Sequence, residues 1–158
     1  VPGSDRAMQV KAVLQAEGLW SQYLEVGIGP DRADQMIRLG SLVRNGVKVT
    51  LHSDLPMGPI KPLLGASLLA TRSTSSGRVP APSECLSPYD AMAAVTIEAA
   101  WQLRLDHEIG SLAAGKLADM TVLDADPFEM DPAGWPDIGI PATIRGGQVH
   151  EIDAATRT

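Results

Sequence analysis

One short stretch of β-branched and aliphatic residues, Val47 to Leu51, constrains the fold more than any other part of the sequence. Such a run between two polar turns is typical of a buried strand. A helix is predicted before it, from about Asp31 to Arg44, with Pro30 suited to the first turn and Asn45-Gly46 as the stop. A helix, a glycine stop, a short strand and a polar loop form half of a repeating β/α unit. The sequence therefore predicts the α/β class.

Further helices are predicted on both sides of this strand. Helical spacing of apolar residues indicates one helix from Val10 to Leu24 and another from Leu63 to Ala70. The stretch from Thr71 to Ser83 is rich in Ser, Pro and Gly and is predicted to be a loop. Ser87 then has the features of an N-cap, because a proline follows it and an acid lies three residues on. This cap starts a predicted helix that runs to about Leu103.

The character of the sequence changes near residue 108. Asp119 to Leu123 is a predicted strand, and Ile140 to Arg145 and Gln148 to Ile152 flank Gly146-Gly147, a pair typical of a tight hairpin. We therefore expect three parts: β/α units in residues 1–108, a small all-β part in 109–152, and a polar tail in 153–158. So few strands cannot bury both faces of a sheet, and the all-β part needs strands from elsewhere.

The bulk composition limits the classes of function. Hydrophobic residues make up 44% of the chain, which is enough for a core, and the formal net charge is −6. An acidic chain lacks the basic face that nucleic acids and anionic membranes require, and no apolar run approaches the roughly 20 residues of a membrane span. No N-terminal signal pattern is visible, so a cytoplasmic location is expected. The single cysteine, Cys85, excludes an internal disulfide.

Several short motifs resemble ligand sites but lack a required residue. Gly110 to Lys116 matches a phosphate-binding loop until Leu117, which replaces the hydroxyl residue that binds Mg²⁺. His52, His107 and His150 are too widely spaced in sequence to form a local metal-binding pair, and we expect the last two at the surface. These patterns therefore indicate neither a nucleotide site nor a local metal site.

Asp54 is the strongest candidate for a functional residue. It follows the predicted strand closely, where a carboxylate has no packing role, and prolines at 56, 59 and 62 stiffen the loop that holds it. In a (β/α)8 barrel the carboxyl ends of the strands carry the catalytic groups. The alternative is a turn or helix-cap aspartate, and the local spacing alone leaves both interpretations open.

The order and spacing of several segments resemble the end of the amidohydrolase superfamily, in the branch called amidohydrolase family 3, which includes N-substituted formamide deformylase. The resemblance extends from Gly46 to Val149, and the residues up to Arg44 match more loosely. Each segment alone is weak evidence, but their order along the chain is specific. The matching segments are Gly46 to Pro59, Ser76 to Val79, Leu86 to Ala91, Thr96 to Ala100, Ile109 to Asp124 and Thr143 to Val149.

This resemblance implies a fold that the chain contains only in part: the last β/α units of a (β/α)8 metal-dependent hydrolase barrel, and C-terminal strands of a small β-sandwich. It implies hydrolysis of an amide-like C–N bond in a small-molecule substrate by a water activated on a divalent metal, usually zinc. Asp54 matches the family aspartate at the end of strand eight, which contacts the metal centre and moves the proton of the attacking water. His52, Met57 and Arg72 are expected to line the substrate.

The sequence lacks most of the metal ligands that the resemblance implies. The family's His-x-His pair, its bridging lysine and two further histidines have no counterpart, and a complete barrel needs about 250 residues. We therefore expect this chain alone to be inactive and to bind no catalytic metal. We also expect a homo-oligomer, or association with the N-terminal remainder of a longer protein. The alternative function is a non-catalytic assembly module that retains this part of the fold.

Overall fold

The computed structural model describes the backbone of residues 7–11, and residues 25–53, 58–74 and 77–153. The described strands are β1 (Ala7–Lys11), β2 (Lys48–His52), β3 (Met120–Val122), β4 (Ala142–Arg145) and β5 (Gln148–Glu151). The described α-helices are α1 (Glu25–Ile28), α2 (Pro30–Asp34), α3 (Leu39–Arg44), α4 (Pro62–Thr71), α5 (Pro88–Val95) and α6 (Ile97–Gln102). Short 3-10 helices lie at Pro82–Glu84, Pro127–Glu129 and Pro132–Asp137.

The described strands form two separate sheets. β1 and β2 are parallel, with Ala7 opposite Lys48. β3, β4 and β5 form an antiparallel sheet in that order. Gly146 and Gly147 connect β4 to β5 with φ values of 56° and 81°, which is the conformation that the predicted hairpin requires. The parallel pair and its surrounding helices confirm the predicted α/β class.

Two of the helix predictions near the N-terminus are wrong in part. Val10 and Lys11, which helical spacing assigns to a helix, belong to β1, because the backbone of this segment pairs with β2. The rest of that prediction, residues 12–24, lies outside the described residues. The helix predicted over Asp31 to Arg44 divides into α2 and α3, and Ile37 between them has a φ of 54°. Local helical spacing does not reveal this break, which a long-range contact stabilises.

The later helices follow their sequence signals closely. α4 extends the predicted Leu63 to Ala70 by one residue at each end. The Ser87 hydroxyl oxygen accepts the N–H of Asp90 at 3.1 Å, so the predicted N-cap is confirmed. The helix that follows divides at Thr96 into α5 and α6. Local capping chemistry therefore determines where α5 begins.

The described core crosses the boundary expected near residue 108. Trp135 and Ile138, from the C-terminal part, are buried in one cluster with core residues of the N-terminal part such as Leu39 and Val49. Trp135 is 0% exposed, and its indole N–H donates to the Pro127 carbonyl at 2.7 Å. The segment that holds it packs against α4. The two predicted parts thus share apolar contacts across the boundary.

Across the described ranges, no helix has the length and apolar character needed to cross a bilayer.

Candidate active site at the carboxyl end of a parallel strand

β2 has one apolar face that fixes it against α4. Val49 is buried in the core, and Leu51 packs against Gly65 of α4. A Cβ added at Gly65 would lie 2.0 Å from Leu51 Cδ2, which is far closer than any real contact. Glycine at this position therefore allows the helix to approach the strand.

The other face of β2 carries polar side chains at two-residue intervals. Lys48 Nζ lies 2.8 Å from a carboxylate oxygen of Glu98 and 4.8 Å from the ring centroid of Trp101. The buried Thr50 donates its hydroxyl hydrogen to the side-chain oxygen of Gln102. α6 thus binds the first two polar side chains of this face, and His52 is the next along the strand.

A cavity of about 310 Å³ lies at the carboxyl end of β2. Its polar lining includes His52 and Ser53 from the strand end and Lys61, the residue before α4. Ligands of α/β proteins bind at the carboxyl ends of parallel strands, so this cavity is the candidate active site. Its apolar lining includes Leu51, Ile60, Leu64, Leu68, Val95 and Ala99.

Asp54 and Met57, two of the predicted site residues, lie outside the described residues. The described residues that flank them, Ser53 and Gly58, both line the cavity. The backbone of Gly58 approaches Ser53 closely, since an added Cβ would lie 2.8 Å from the Ser53 carbonyl oxygen. The described residues on both sides of Asp54 and Met57 in the sequence therefore line the cavity. Of the residues predicted to line the substrate, His52 lines this cavity.

Arg72 occupies a different environment from the one expected of a substrate-lining residue. Its side chain is 1% exposed, and Nε donates to the Pro80 carbonyl at 2.7 Å. The terminal nitrogens donate to the carbonyls of Ile37 at 2.8 Å and Met36 at 3.3 Å. Burial lowers the pKa of the guanidinium, and the nearby Cys85, Glu84 and Asp34 act in the opposite direction. These contacts make Arg72 a structural residue that fixes the break between α2 and α3, and it is not among the described residues that line the cavity.

Sequence reasoning missed a second buried charged group, Glu84. Its carboxylate accepts the backbone N–H of Ser41 at 2.7 Å and the Ser41 hydroxyl at 2.6 Å. Nitrogens of Arg38 and Arg44 each lie 3.6 Å from the same carboxylate. Burial raises the pKa of Glu84, but the hydrogen bonds from Ser41 and the two arginine charges together bring the pKa below its usual value. The partners are about forty residues apart in sequence, so no local pattern could have indicated this contact.

The other residues that the sequence analysis considered as possible ligand-binding groups form local hydrogen bonds, lie at the surface or are partly buried. Lys116 Nζ donates to the Ser111 hydroxyl at 2.7 Å and to the Ile109 carbonyl at 3.2 Å, so the apparent phosphate loop is held by its own lysine. His107 and His150 are exposed, as expected. The thiol of Cys85 is partly buried, and burial raises its pKa.

The described residues do not by themselves fit a metal ion. Within the described ranges, no group of three or more His, Cys, Asp or Glu side chains is placed to hold one. His52 contributes one imidazole to the cavity, whereas zinc sites use three or four protein ligands. A metal centre at this cavity thus needs further ligands from outside the described residues.

The fold is that of an α/β protein, with helices around a parallel strand pair. Its candidate site lies at the carboxyl end of one strand, where proteins of this class bind their ligands. The particular family is identified by sequence. A family model described as "Amidohydrolase family" matches residues 6–150, and the chain belongs to this family. The match confirms the resemblance that the sequence motifs indicated.

Two curated relatives and one solved structure illustrate the similarity. The chain is 34% identical over 125 residues to "Putative amidohydrolase YtcJ" of Bacillus subtilis strain 168, covering 77% of this chain and 24% of that protein. It is 30% identical over 111 residues to "N-substituted formamide deformylase" of Arthrobacter pascens, covering 70% and 20%. An uncharacterized metal-dependent hydrolase from Pyrococcus horikoshii OT3 has the same fold over 78% of this chain and 25% of its own, with a TM-score of 0.62 and 22% identity. The chain therefore spans between a fifth and a quarter of the length of these proteins.

Proposed function

We propose that the chain is the C-terminal part of a metal-dependent amidohydrolase that hydrolyses an amide-like C–N bond in a small molecule. The observation that carries this proposal is the family match over residues 6–150. Asp54 lies within this match and directly follows Ser53, which lines the cavity at the end of β2. Supporting similarities are those to a putative amidohydrolase and to a deformylase of N-substituted formamides.

The proposal includes a larger architecture. In it, β1 and β2 are neighbouring strands of a (β/α)8 barrel, and β3 to β5 are part of a small β-sandwich. Two features support this: β1 and β2 are parallel, and the aligned part is only 24% of the B. subtilis relative. The remaining strands would come from the N-terminal remainder of the full-length protein.

Asp54 is the group that moves the proton in this proposal. Its carboxylate accepts a proton from the attacking water and later returns it to the leaving amine. His52 lines the cavity at the strand end, and in this proposal both His52 and Met57 contact the substrate. A divalent metal, expected to be zinc, would lower the pKa of the water toward about 7 when bound. Ligands other than Asp54 would come from outside this chain, so the chain alone is proposed to be inactive.

Replacement of Asp54 in the full-length protein tests this function. With any amide that the wild type hydrolyses, Asp54→Asn should reduce kcat by about 100-fold or more, because it removes the general base. Asp137→Asn, at an exposed aspartate of the C-terminal part, is the matched control and should leave kcat unchanged. Wild-type kcat in Asp54→Asn would place Asp54 among the structural turn residues and reject the proposed mechanism.

A further inference from the structure

The C-terminus of α3 is closed by two backbone hydrogen bonds around one glycine. The Gly46 N–H donates to the Val43 carbonyl at 2.9 Å, and the Val47 N–H donates to the Leu42 carbonyl at 3.0 Å. Gly46 has a φ of 74°, which glycine adopts without strain. These two bonds form the Schellman arrangement of a helix end, and Asn45 is the C-cap residue.

The C-cap residue carries a reactive side chain. Asn45 is the only asparagine in the chain, it is exposed, and it precedes a glycine. Asparagine is among the thermolabile residues, and glycine leaves the following backbone nitrogen unhindered because it has no side chain. We propose that Asn45 is a site of spontaneous deamidation, and that the C-terminal turn of α3 controls the rate. This inference does not depend on the proposed function.

The reaction needs only water. The Gly46 backbone nitrogen attacks Cγ of Asn45, the bond between Cγ and Nδ2 breaks, and the departing ammonia takes the proton of the Gly46 N–H. Water then opens the succinimide ring and leaves aspartate or isoaspartate at position 45. No atom is oxidised or reduced in either step.

The folded turn holds both reacting groups in other contacts. The Gly46 N–H, whose nitrogen must attack, donates to the Val43 carbonyl. Asn45 Nδ2, which must leave, donates to the Ser41 carbonyl at 2.7 Å. The reaction therefore requires the last turn of α3 to open. Because α3 has only six residues and helix ends open at low free energy, a fraction of the folded molecules is reactive at any time.

Contacts from a distant part of the sequence hold this turn closed. The carboxylate of Glu84 accepts the Ser41 N–H at 2.7 Å and the Ser41 hydroxyl at 2.6 Å, while the carbonyl of Ser41 binds Asn45. Arg44 donates to the Ser83 carbonyl at 2.9 Å, and another of its nitrogens lies 3.6 Å from the Glu84 carboxylate. These contacts fix α3 to the segment around Glu84. A weaker contact at Glu84 should therefore let the turn open more often.

The products of the reaction weaken the turn further. A carboxylate at position 45 has no N–H to donate to the Ser41 carbonyl, and it adds a negative charge at a helix C-terminus, where the helix dipole disfavours anions. Isoaspartate also lengthens the backbone by one carbon directly before Gly46 and so displaces the Schellman hydrogen bonds. Since β2 begins at Lys48, the altered residue lies close to the strand that leads to the candidate active site.

The experiment compares the full-length protein with a synthetic peptide of residues 41–48, which serves as the unstructured reference. Both are incubated at pH 8, and mass spectrometry measures deamidation in the peptide that contains Asn45. The folded protein should react at least about tenfold more slowly than the reference. Glu84→Gln should react about threefold or more faster than the wild type, because it weakens the contacts of Ser41. Glu129→Gln, at an exposed glutamate, is the matched control and should react at the wild-type rate.

Three outcomes would overturn the inference. Absence of deamidation in the reference peptide would reject the site itself. Equal rates in the folded wild type and the reference peptide would reject control by α3. Equal rates in folded Glu84→Gln and Glu129→Gln would reject the part of Glu84. If melting curves show that Glu84→Gln is unfolded, the comparison of the wild type with the reference peptide still decides whether the turn controls the reaction.

Discussion

Polar side chains in two regions of the molecule have different surroundings. In the first region, the guanidinium of Arg72 donates to three backbone carbonyls, and the carboxylate of Glu84 accepts two hydrogen bonds from Ser41. In the second, the cavity at the end of β2, His52, Ser53 and Lys61 lie among mainly apolar walls. The first region fixes backbone segments to each other. The second has space for a ligand.

This difference separates structural charges from candidate catalytic ones. A buried charge that is bound to backbone groups on several sides holds the fold and has little freedom to act on a substrate. A polar group beside an apolar cavity is free to contact a substrate. The sequence analysis predicted that Arg72 lines the substrate, but its contacts are those of a structural charge. Substitutions in the first region should therefore change stability, and substitutions in the second should change activity or ligand binding.

The largest effect on stability is expected at Arg72. Arg72→Met keeps the apolar stem but removes the hydrogen bonds to the carbonyls of Pro80, Ile37 and Met36, which should reduce the free energy of unfolding by about 3–5 kcal/mol. Urea denaturation measures this loss.

Arg104→Met is the matched control for this change. Arg104 also has a positive φ, 59° against 50° at Arg72, but its side chain is exposed. Its replacement should change the free energy of unfolding by no more than about 0.5 kcal/mol. Equal losses in the two variants would mean that the backbone conformation, and not the buried hydrogen bonds, makes Arg72 important.

A smaller and pH-dependent effect is expected at Glu84. Glu84→Gln removes the charge that Arg38 and Arg44 approach and weakens the bonds to Ser41, so it should destabilise the fold at pH 7 by about 1–2 kcal/mol. The folded-state pKa of Glu84 is lowered, so its stabilising contribution is present above the unfolded pKa and is lost as the pH falls through the folded one.

The difference between wild type and Glu84→Gln should therefore shrink as the pH falls below about 4.3, the ordinary pKa of a glutamate. Urea denaturation from pH 7 to pH 3 measures this difference in the free energy of unfolding. Glu129→Gln, at an exposed glutamate, is the control. A difference that stays constant over this range would show that the charge of Glu84 does not stabilise the fold.

The smallest signal is expected from metal analysis of the chain alone. Because zinc sites need three or four protein ligands, the purified chain should hold less than about 0.1 equivalent of zinc. Elemental analysis after dialysis measures it. Stoichiometric zinc that is lost in Asp54→Ala would mean that the chain contains a complete metal site and needs no ligands from an N-terminal remainder.

The sequence predicted the features that depend on neighbouring residues. The Ser87 cap, the Gly146-Gly147 turn and the strand that ends beside Asp54 all have local signals, and the structure confirms them. The sequence motifs likewise identified the amidohydrolase family, because their order is preserved along the chain.

The features that sequence reasoning missed depend on residues far apart in the chain. Ile37 takes a positive φ beside the guanidinium of Arg72, 35 residues away, and helical spacing alone favours a continuous helix there. The Ser41–Glu84 contact spans 43 residues. Trp135 enters a core made largely by the N-terminal part, which a boundary drawn from composition could not reveal. In each case tertiary contacts outweighed the local preference.

The most direct test of the difference between the two regions exchanges one carboxylate in each for its amide, in the full-length protein. Asp54→Asn and Glu84→Gln are compared by kcat and by the free energy of unfolding on the same samples. For Asp54→Asn we predict a kcat lower by about 100-fold with stability within about 0.5 kcal/mol of the wild type. For Glu84→Gln we predict the reverse pattern, an unchanged kcat with reduced stability. A stable Asp54→Asn enzyme with wild-type kcat would contradict the role of Asp54 as the general base at the end of β2.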